Sequence, residues 1–476
     1  MSQTCTLHIL HTNDLHSHFE NMPQIATCLK EKRRLWEANN EYVLTVDIGD
    51  HTDRMRMKTE ATWGQANVRV LNHSGYQYVT IGNNEGLTFP KKELDHLYDQ
   101  AEFQVVAANF VDVKTQSIPR WAIPYDIYEW DGIKVAILGV TVAFTTFYEQ
   151  LGWEVKDPFP ILLQYVQQLR PEVDIILVLS HLGYHADVQM AKEIDGIDVI
   201  LGAHTHRLLA NGEKVNQTWI AQAGKFGEYI GHVRLEIEKE SRCITAGKVE
   251  VFSASDFAKD LELEKVISQD QQTAFEILAQ PIADLRWNLL IDWQQETPFG
   301  SFLAASIRHW TNAEIGLANG GLLLHALKQG EVTRKDLLTC LPHPINPCLV
   351  ELTGSQLLSV LQKAIQPSTV HKELIGFGFR GKKHGWMGVD NLQIRYRVEE
   401  DNPVVTEVLV AGYPIDLDRT YKIGTVDMFM FNRLYPEFQE APHHFFLPEV
   451  LREIIAEMIT NEKVLEECFT KRWLVV

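Results

Sequence analysis

Short apolar, β-branched runs alternate with amphipathic stretches through the first half of the chain. Thr6–His11, Tyr42–Val46, Tyr78–Ile81, Gln104–Ala107, Val135–Val140, Asp174–Leu179 and Val199–Leu201 read as strands. Met22–Asn39 and Pro90–Gln100, lying between them, carry helical periodicity. Alternating strand and helix predicts an α/β domain: a mostly parallel sheet with helices over its faces. Ile175–Leu179, reading IILVL, is apolar at every position, as a strand covered on both sides should be.

Near residue 251 the texture changes. Residues 251–290 are charged and Gln-rich, with Pro281 interrupting them, and read as a linker between a domain over 1–250 and another over 291–476. In the second domain Pro298–His309, Ser355–Ala364 and Pro448–Thr460 read as helices, and Leu392–Val398 and Tyr421–Val426 as strands. That mixture predicts a smaller α+β domain. A chain of 476 residues is long enough for two such cores.

Bulk properties narrow the classes. A formal net charge of −19 excludes a general nucleic-acid binder, which needs a basic face, but leaves small phosphate esters open because bound cations can supply a local positive field. No run reaches the roughly 18–20 apolar residues that a membrane span requires. Six scattered cysteines without a CxxC pair read as free thiols of a reducing compartment. The first residues lack the basic and apolar regions of a secretory signal, so the expected location is the cytoplasm.

The chemistry lies at the strand ends. Asp14 and His16 follow the first strand, in HTNDLHSH; Asp50 follows the second, in TVDIGDH; Asn83 follows the third, in TIGNNEG. His181 follows IILVLS, and His204 and His206 follow VILGA. In a parallel sheet the carboxyl ends share one edge, so residues almost two hundred positions apart can meet there. Carboxylate, imidazole and amide oxygen together suit divalent ions such as Zn, Mn, Fe, Co or Ni. Seven donors exceed one tetrahedral shell and suit two ions sharing a carboxylate, an arrangement that activates water against a phosphoryl centre.

DLH, then GD, then GN, then a strand-ending His, then AHTH, is an order that resembles the calcineurin-like metallophosphoesterases. Asn319–Gly321 (NGG), Gly330–Thr333 (GEVT) and Val350–Gly354 (VELTG) extend the resemblance to the 5′-nucleotidase and UDP-sugar hydrolase branch. It implies an N-terminal β-sandwich flanked by helices, a four-layer αββα domain, followed by a 5′-nucleotidase-type substrate-recognition domain. It also implies a division of ligands: Asp14, His16 and His206 on one ion, Asn83, His181 and His204 on the other, Asp50 bridging. The implied reaction is hydrolysis of a phosphate monoester or pyrophosphate bond, with a nucleotide as the favoured substrate.

Departures from the family pattern keep other readings open. Where the family places a catalytic His, this chain has Asn84, which donates a hydrogen bond but carries no charge; Leu87 stands where an Asp usually orients that His. His18, His51 and His185 are candidates to compensate. The arginines that the family offers to phosphate correspond here to Leu324 and to the neighbourhood of Leu289 and Trp293. Of two rings that would sandwich a base, Phe429 fits one position and His343 the other, although Phe429 reads equally as a core residue. Asn319 and Gly321 are candidate substrate contacts, as is Arg380 in the cationic segment FGFRGKKHGWMG, Phe377–Gly388. Alternative substrates are 2′,3′-cyclic nucleotides, UDP-sugars or a non-nucleotide phosphate ester. The alternative of another class is a metal-bound ligand sensor with weak turnover.

Overall fold

The computed structural model describes residues 4–376, 378–400 and 402–476. They form two compact units, divided after Ala274.

In the first unit the apolar runs build two six-stranded sheets rather than one. One sheet has the order Ile244–Ser253, Tyr229–Glu238, Thr4–Thr12, Tyr42–Asp47, Tyr78–Val79, Gln104–Val105. From Thr4–Thr12 onward its neighbours are parallel, and Tyr229–Glu238 pairs antiparallel with Thr4–Thr12. The other sheet has the order Glu213–Val215, Thr218–Ala221, Val199–Gly202, Ile175–His181, Ile133–Thr141, Tyr125–Trp130. Its four central strands are mutually parallel.

Side-chain alternation along Ile175–Leu179 explains why that run is apolar throughout. Ile175, Leu177 and Leu179 enter the core between the sheets with Leu7, Ile9, Leu44 and Val46. Ile176 and Val178 point the other way, against Leu162, Val166, Leu169 and Met190 of the covering helices. Each such side chain, fully removed from water, contributes roughly 1.5–3 kcal/mol. The result is helix, sheet, sheet, helix, with parallel strands ending side by side.

In the second unit a five-stranded sheet has the order Met387–Asp390, Ile315–Asn319, Thr420–Val426, Pro347–Thr353, His443–Phe445. Helix Pro298–Trp310 packs on its first three strands. Thr297 caps that helix through Gly300 N at 3.1 Å, with Pro298 in the first turn, where a missing N–H costs nothing. Contact is close because Gly316 has no side chain: a Cβ there would lie 2.1 Å from the Ala304 carbonyl. A four-stranded sheet follows, Tyr413–Pro414, Asn402–Val410, Leu392–Glu399, Trp473–Val475.

Residues 251–290, expected as a linker, are regular instead. Their first residues complete the strand Ile244–Ser253, helix Leu261–Leu278 follows, and Pro281–Leu285 pairs with Gly330–Thr333. The charged, Gln-rich composition is that of an exposed helix whose apolar positions Leu263, Ala274 and Leu278 are buried. No helix among the described residues is long and apolar enough to cross a membrane.

Candidate metal centre

The loops after the parallel strands converge through their backbones. Asp14 N donates to Gly49 O at 3.1 Å and His16 N to Asp50 O at 2.8 Å, so the loops carrying these residues run side by side. His204 N donates to both carboxylate oxygens of Asp14, each at 3.1 Å. Convergence strains the chain: φ is +51° at Asp14, +45° at His16, +51° at Asp50, +71° at His204 and +56° at His206. Non-glycine residues rarely adopt this left-handed region, and when they do they cluster at functional sites.

Two groups of side chains result, Asp14 with His16 and His206, and Asp50 with His181 and His204; within each, the candidate ligand atoms lie within 4.8 Å of one another. His16 Nε2 is 3.1 Å from His206 Nε2, and His206 Nε2 is 3.5 Å from Asp14 Oδ1. Asp50 reaches both groups: its Oδ1 is 3.5 Å from His181 Nε2 and its Oδ2 is 3.7 Å from His16 Nε2. Asn83 Oδ1 and His181 Nε2 are buried without a hydrogen-bond partner. Buried polar atoms of that kind are costly unless a ligand completes them. His181 Nδ1 donates to Ile48 O at 2.7 Å, which leaves Nε2 as the ligand atom.

The electrostatics agree with a cation site. Burial lifts the Asp14 carboxyl to about 6. Burial would lift Asp50 too, but the His181 and His16 charges overcome it and hold that carboxyl far below its usual range. His181, despite burial, is raised to about 10 by Asp50. Burial, aided by neighbouring imidazoles, lowers His204 and His206 to about 4. One imidazolium therefore balances Asp50, while the other two stay neutral with lone pairs free to bind metal; a divalent ion would displace that one proton. The residues fit two divalent ions.

Asn84 does not face an open space. Its backbone N–H donates to Asp50 Oδ1 at 2.8 Å and its side-chain amide to Asp50 Oδ2 at 2.7 Å. Of the three histidines proposed to compensate for it, His51 is sealed in the core, 3.4 Å from Asp47 Oδ1 and 3.2 Å from the Tyr98 hydroxyl. His185 is exposed, its ring 5.6 Å from that of Tyr184. His18 stacks on Phe226 at 3.8 Å, and Arg56 donates to its ring.

In the second unit both members of the expected base-binding pair are buried, which is the core reading of Phe429. Phe429 is fully buried in the helix Met428–Phe431, stacked on Phe438 at 5.4 Å and 10° and on His384 at 6.0 Å and 17°. His343 is fully buried; its Nε2 donates to Leu322 O at 2.7 Å, its Nδ1 accepts from Arg380 N at 2.9 Å, and Phe379 lies parallel to it. Neither ring has a free face. Asn319 and Gly321 are buried too: Asn319 Nδ2 and Gly321 N both donate to His384 O, at 3.0 and 2.8 Å. They hold the segment after Phe377, a residue outside those described. In that segment Arg380, Lys382 and Lys383 are exposed, but His384 is buried and held at about 4 by desolvation, so it adds no charge.

Paired donor groups at the carboxyl ends of a two-sheet sandwich define a metal-dependent phosphoesterase. Residues 7–208 match the calcineurin-like phosphoesterase family and residues 285–433 the 5′-nucleotidase C-terminal domain. An uncharacterized metallophosphoesterase of Bacillus subtilis is 37% identical, over 94% of this chain and 98% of its own. A 5′-nucleotidase of Vibrio vulnificus is 24% identical, over 88% of this chain and 83% of its own. The solved NAD nucleotidase of Haemophilus influenzae shares the fold, with a TM-score of 0.67 at 16% identity, covering 99% of this chain and 98% of that one. The chain belongs to the 5′-nucleotidase family of calcineurin-like metallophosphoesterases, and is a metal-dependent phosphoric ester hydrolase.

Proposed function

We propose that the chain hydrolyses a small phosphate ester, favoured to be a nucleotide, at two divalent ions held by Asp14, His16, Asp50, Asn83, His181, His204 and His206. The observation that carries this reading is Asp50 lying within 3.7 Å of both His16 and His181, one from each donor group. These residues would hold two divalent ions, and such ions when bound would acidify a water and neutralise phosphoryl charge. The chain's own residues do the positioning. Asn84 fixes both oxygens of Asp50 through its two N–H donors, and His204 N fixes those of Asp14. Asn13 Nδ2 adds a bond to Asp14 Oδ2 at 2.8 Å.

The nucleotide reading is supported by the C-terminal domain match and by relatives named as 5′-nucleotidases. A second reading, a non-nucleotide phosphate ester, is favoured by one observation: Phe429 and His343 are both fully buried. Release of inorganic phosphate by Mn²⁺-loaded protein should be compared across adenosine 5′-monophosphate, UDP-glucose, 2′,3′-cyclic AMP and a set of sugar phosphates. Turnover of the first group supports the nucleotide; turnover of sugar phosphates alone supports the second reading. No metal-dependent turnover of any ester above an Asp50→Asn control would make the chain a ligand sensor instead.

A further inference from the structure

We propose that Lys225 is a substrate-contacting cation of the metal centre, meeting the terminal oxygens of a phosphate monoester dianion. The inference rests on the hydrolytic reading above and adds the class of ester that the site prefers.

Lys225 lies in the loop Gly224–Gly227, after the strand Thr218–Ala221, and no metal motif includes it. That loop is tied to both parts of the Asp14–His16–His206 group. Phe226 N donates to Asp14 O at 2.8 Å, and Gly224 N donates to the carbonyl of Arg207, the residue after His206, at 2.9 Å. Asn13 Nδ2 also donates to Gly224 O at 2.7 Å. Phe226 is held at φ +60°, a strained conformation for a bulky residue. Strain at a non-glycine residue beside a reactive centre points to function.

What the strain achieves is the placing of one ring. Phe226 stands edge-on to His16 at 5.9 Å and lies 6.4 Å from His206, with His18 stacked on it at 3.8 Å. The ammonium of Lys225 sits over the same ring, 4.5 Å from its centroid. A ring face stabilises a cation without neutralising it. No carboxylate pairs with Lys225 among the described residues, in a chain of net charge −19.

Asn84 cannot supply a positive charge, so a fixed ammonium elsewhere on the rim has a task to perform. A monoester carries two negative charges on its terminal phosphate and a diester only one. A cation added to the rim therefore favours the monoester, by the strength of one charge-assisted hydrogen bond.

The test uses the Mn²⁺-loaded full chain with p-nitrophenyl phosphate and bis-p-nitrophenyl phosphate. Lys225→Met should lower kcat/KM for the monoester on the order of tenfold to a hundredfold while changing the diester much less. Lys225→Arg should recover most of the loss, and metal content should be the same in all three proteins. An equal fall on both esters, no fall on either, or lost metal would overturn the proposal. Should wild type turn over neither ester, the hydrolytic reading fails by itself. Calorimetry with inorganic phosphate then decides on Lys225: binding weakened in Lys225→Met supports its role as an anion contact, and unchanged binding ends it.

Discussion

The buried carboxylate of Glu85 accepts four hydrogen bonds, from Gly82 N at 2.8 Å, Asp50 N at 2.9 Å, Thr52 N at 2.7 Å and Thr52 Oγ1 at 2.6 Å. It belongs to neither donor group, yet it joins the loop of Asp50 to the segment of Asn83. A glutamine is nearly the same size but presents an NH₂ to donors, so about half of these contacts turn repulsive. Glu85→Gln should weaken Mn²⁺ binding about 10- to 100-fold, the usual cost of losing a supporting group. Titration followed by electron paramagnetic resonance measures this, and an unchanged binding curve would refute the role. At this scale the candidate donors were legible because each stands at the end of a strand or within a few residues after it. Glu85 was visible only as a letter in GNNE. Phe429 read equally as a core residue and as a stacking platform, because the packing that buries it, on Phe438, Tyr435 and His384, comes only through the fold.

Elements whose residues are local in sequence were the readable ones. Helix Met22–Ala38 and strand Ile175–His181 lie within two residues of their expected limits, each carrying one clean period. Helix Leu261–Leu278 was hidden because its polar face dominates its composition. In the cationic segment His384 is buried apart from the exposed Arg380, Lys382 and Lys383, and its state has a measurable consequence. His384 Nδ1 donates to Gly385 O at 2.7 Å, and its Nε2 is 3.0 Å from the Tyr435 hydroxyl. Burial lowers this imidazole from 6.5 to about 4. Below the unfolded value the unfolded chain takes up a proton that the folded chain refuses. The contribution is therefore complete above that value and is lost as pH falls from there toward the folded one. Within that window the loss is about 1.4 kcal/mol for each pH unit. Denaturant unfolding of metal-free protein should show a shallower decline on acidification in His384→Phe than in wild type. Parallel declines would mean that His384 is protonated in the folded chain.

Across the whole molecule, the candidate donor groups found among the described residues lie in the first unit, on strained loops. Asp14, His16, Asp50, His204 and His206 are all at positive φ, on loops bonded to one another. Ions that bind only the folded state stabilise it by mass action, about 4 kcal/mol at a thousandfold excess over Kd. Removing them withdraws that stabilisation first where the ligands are, since loops open locally well before strands do. The sheets beneath are held by apolar packing. Chelation of the full chain should therefore accelerate amide exchange at residues 12–18, 49–53, 82–85, 181–183 and 203–207, and at 224–227, which are bonded to two of these loops. Protection of the helix Pro298–Trp310 and the strand Pro347–Thr353 should be unchanged, because they supply no residue to the donor groups found among the described residues. Exchange that rises equally in both units would show that the ions stabilise the fold as a whole, and exchange that rises nowhere would show that the loops are set without them.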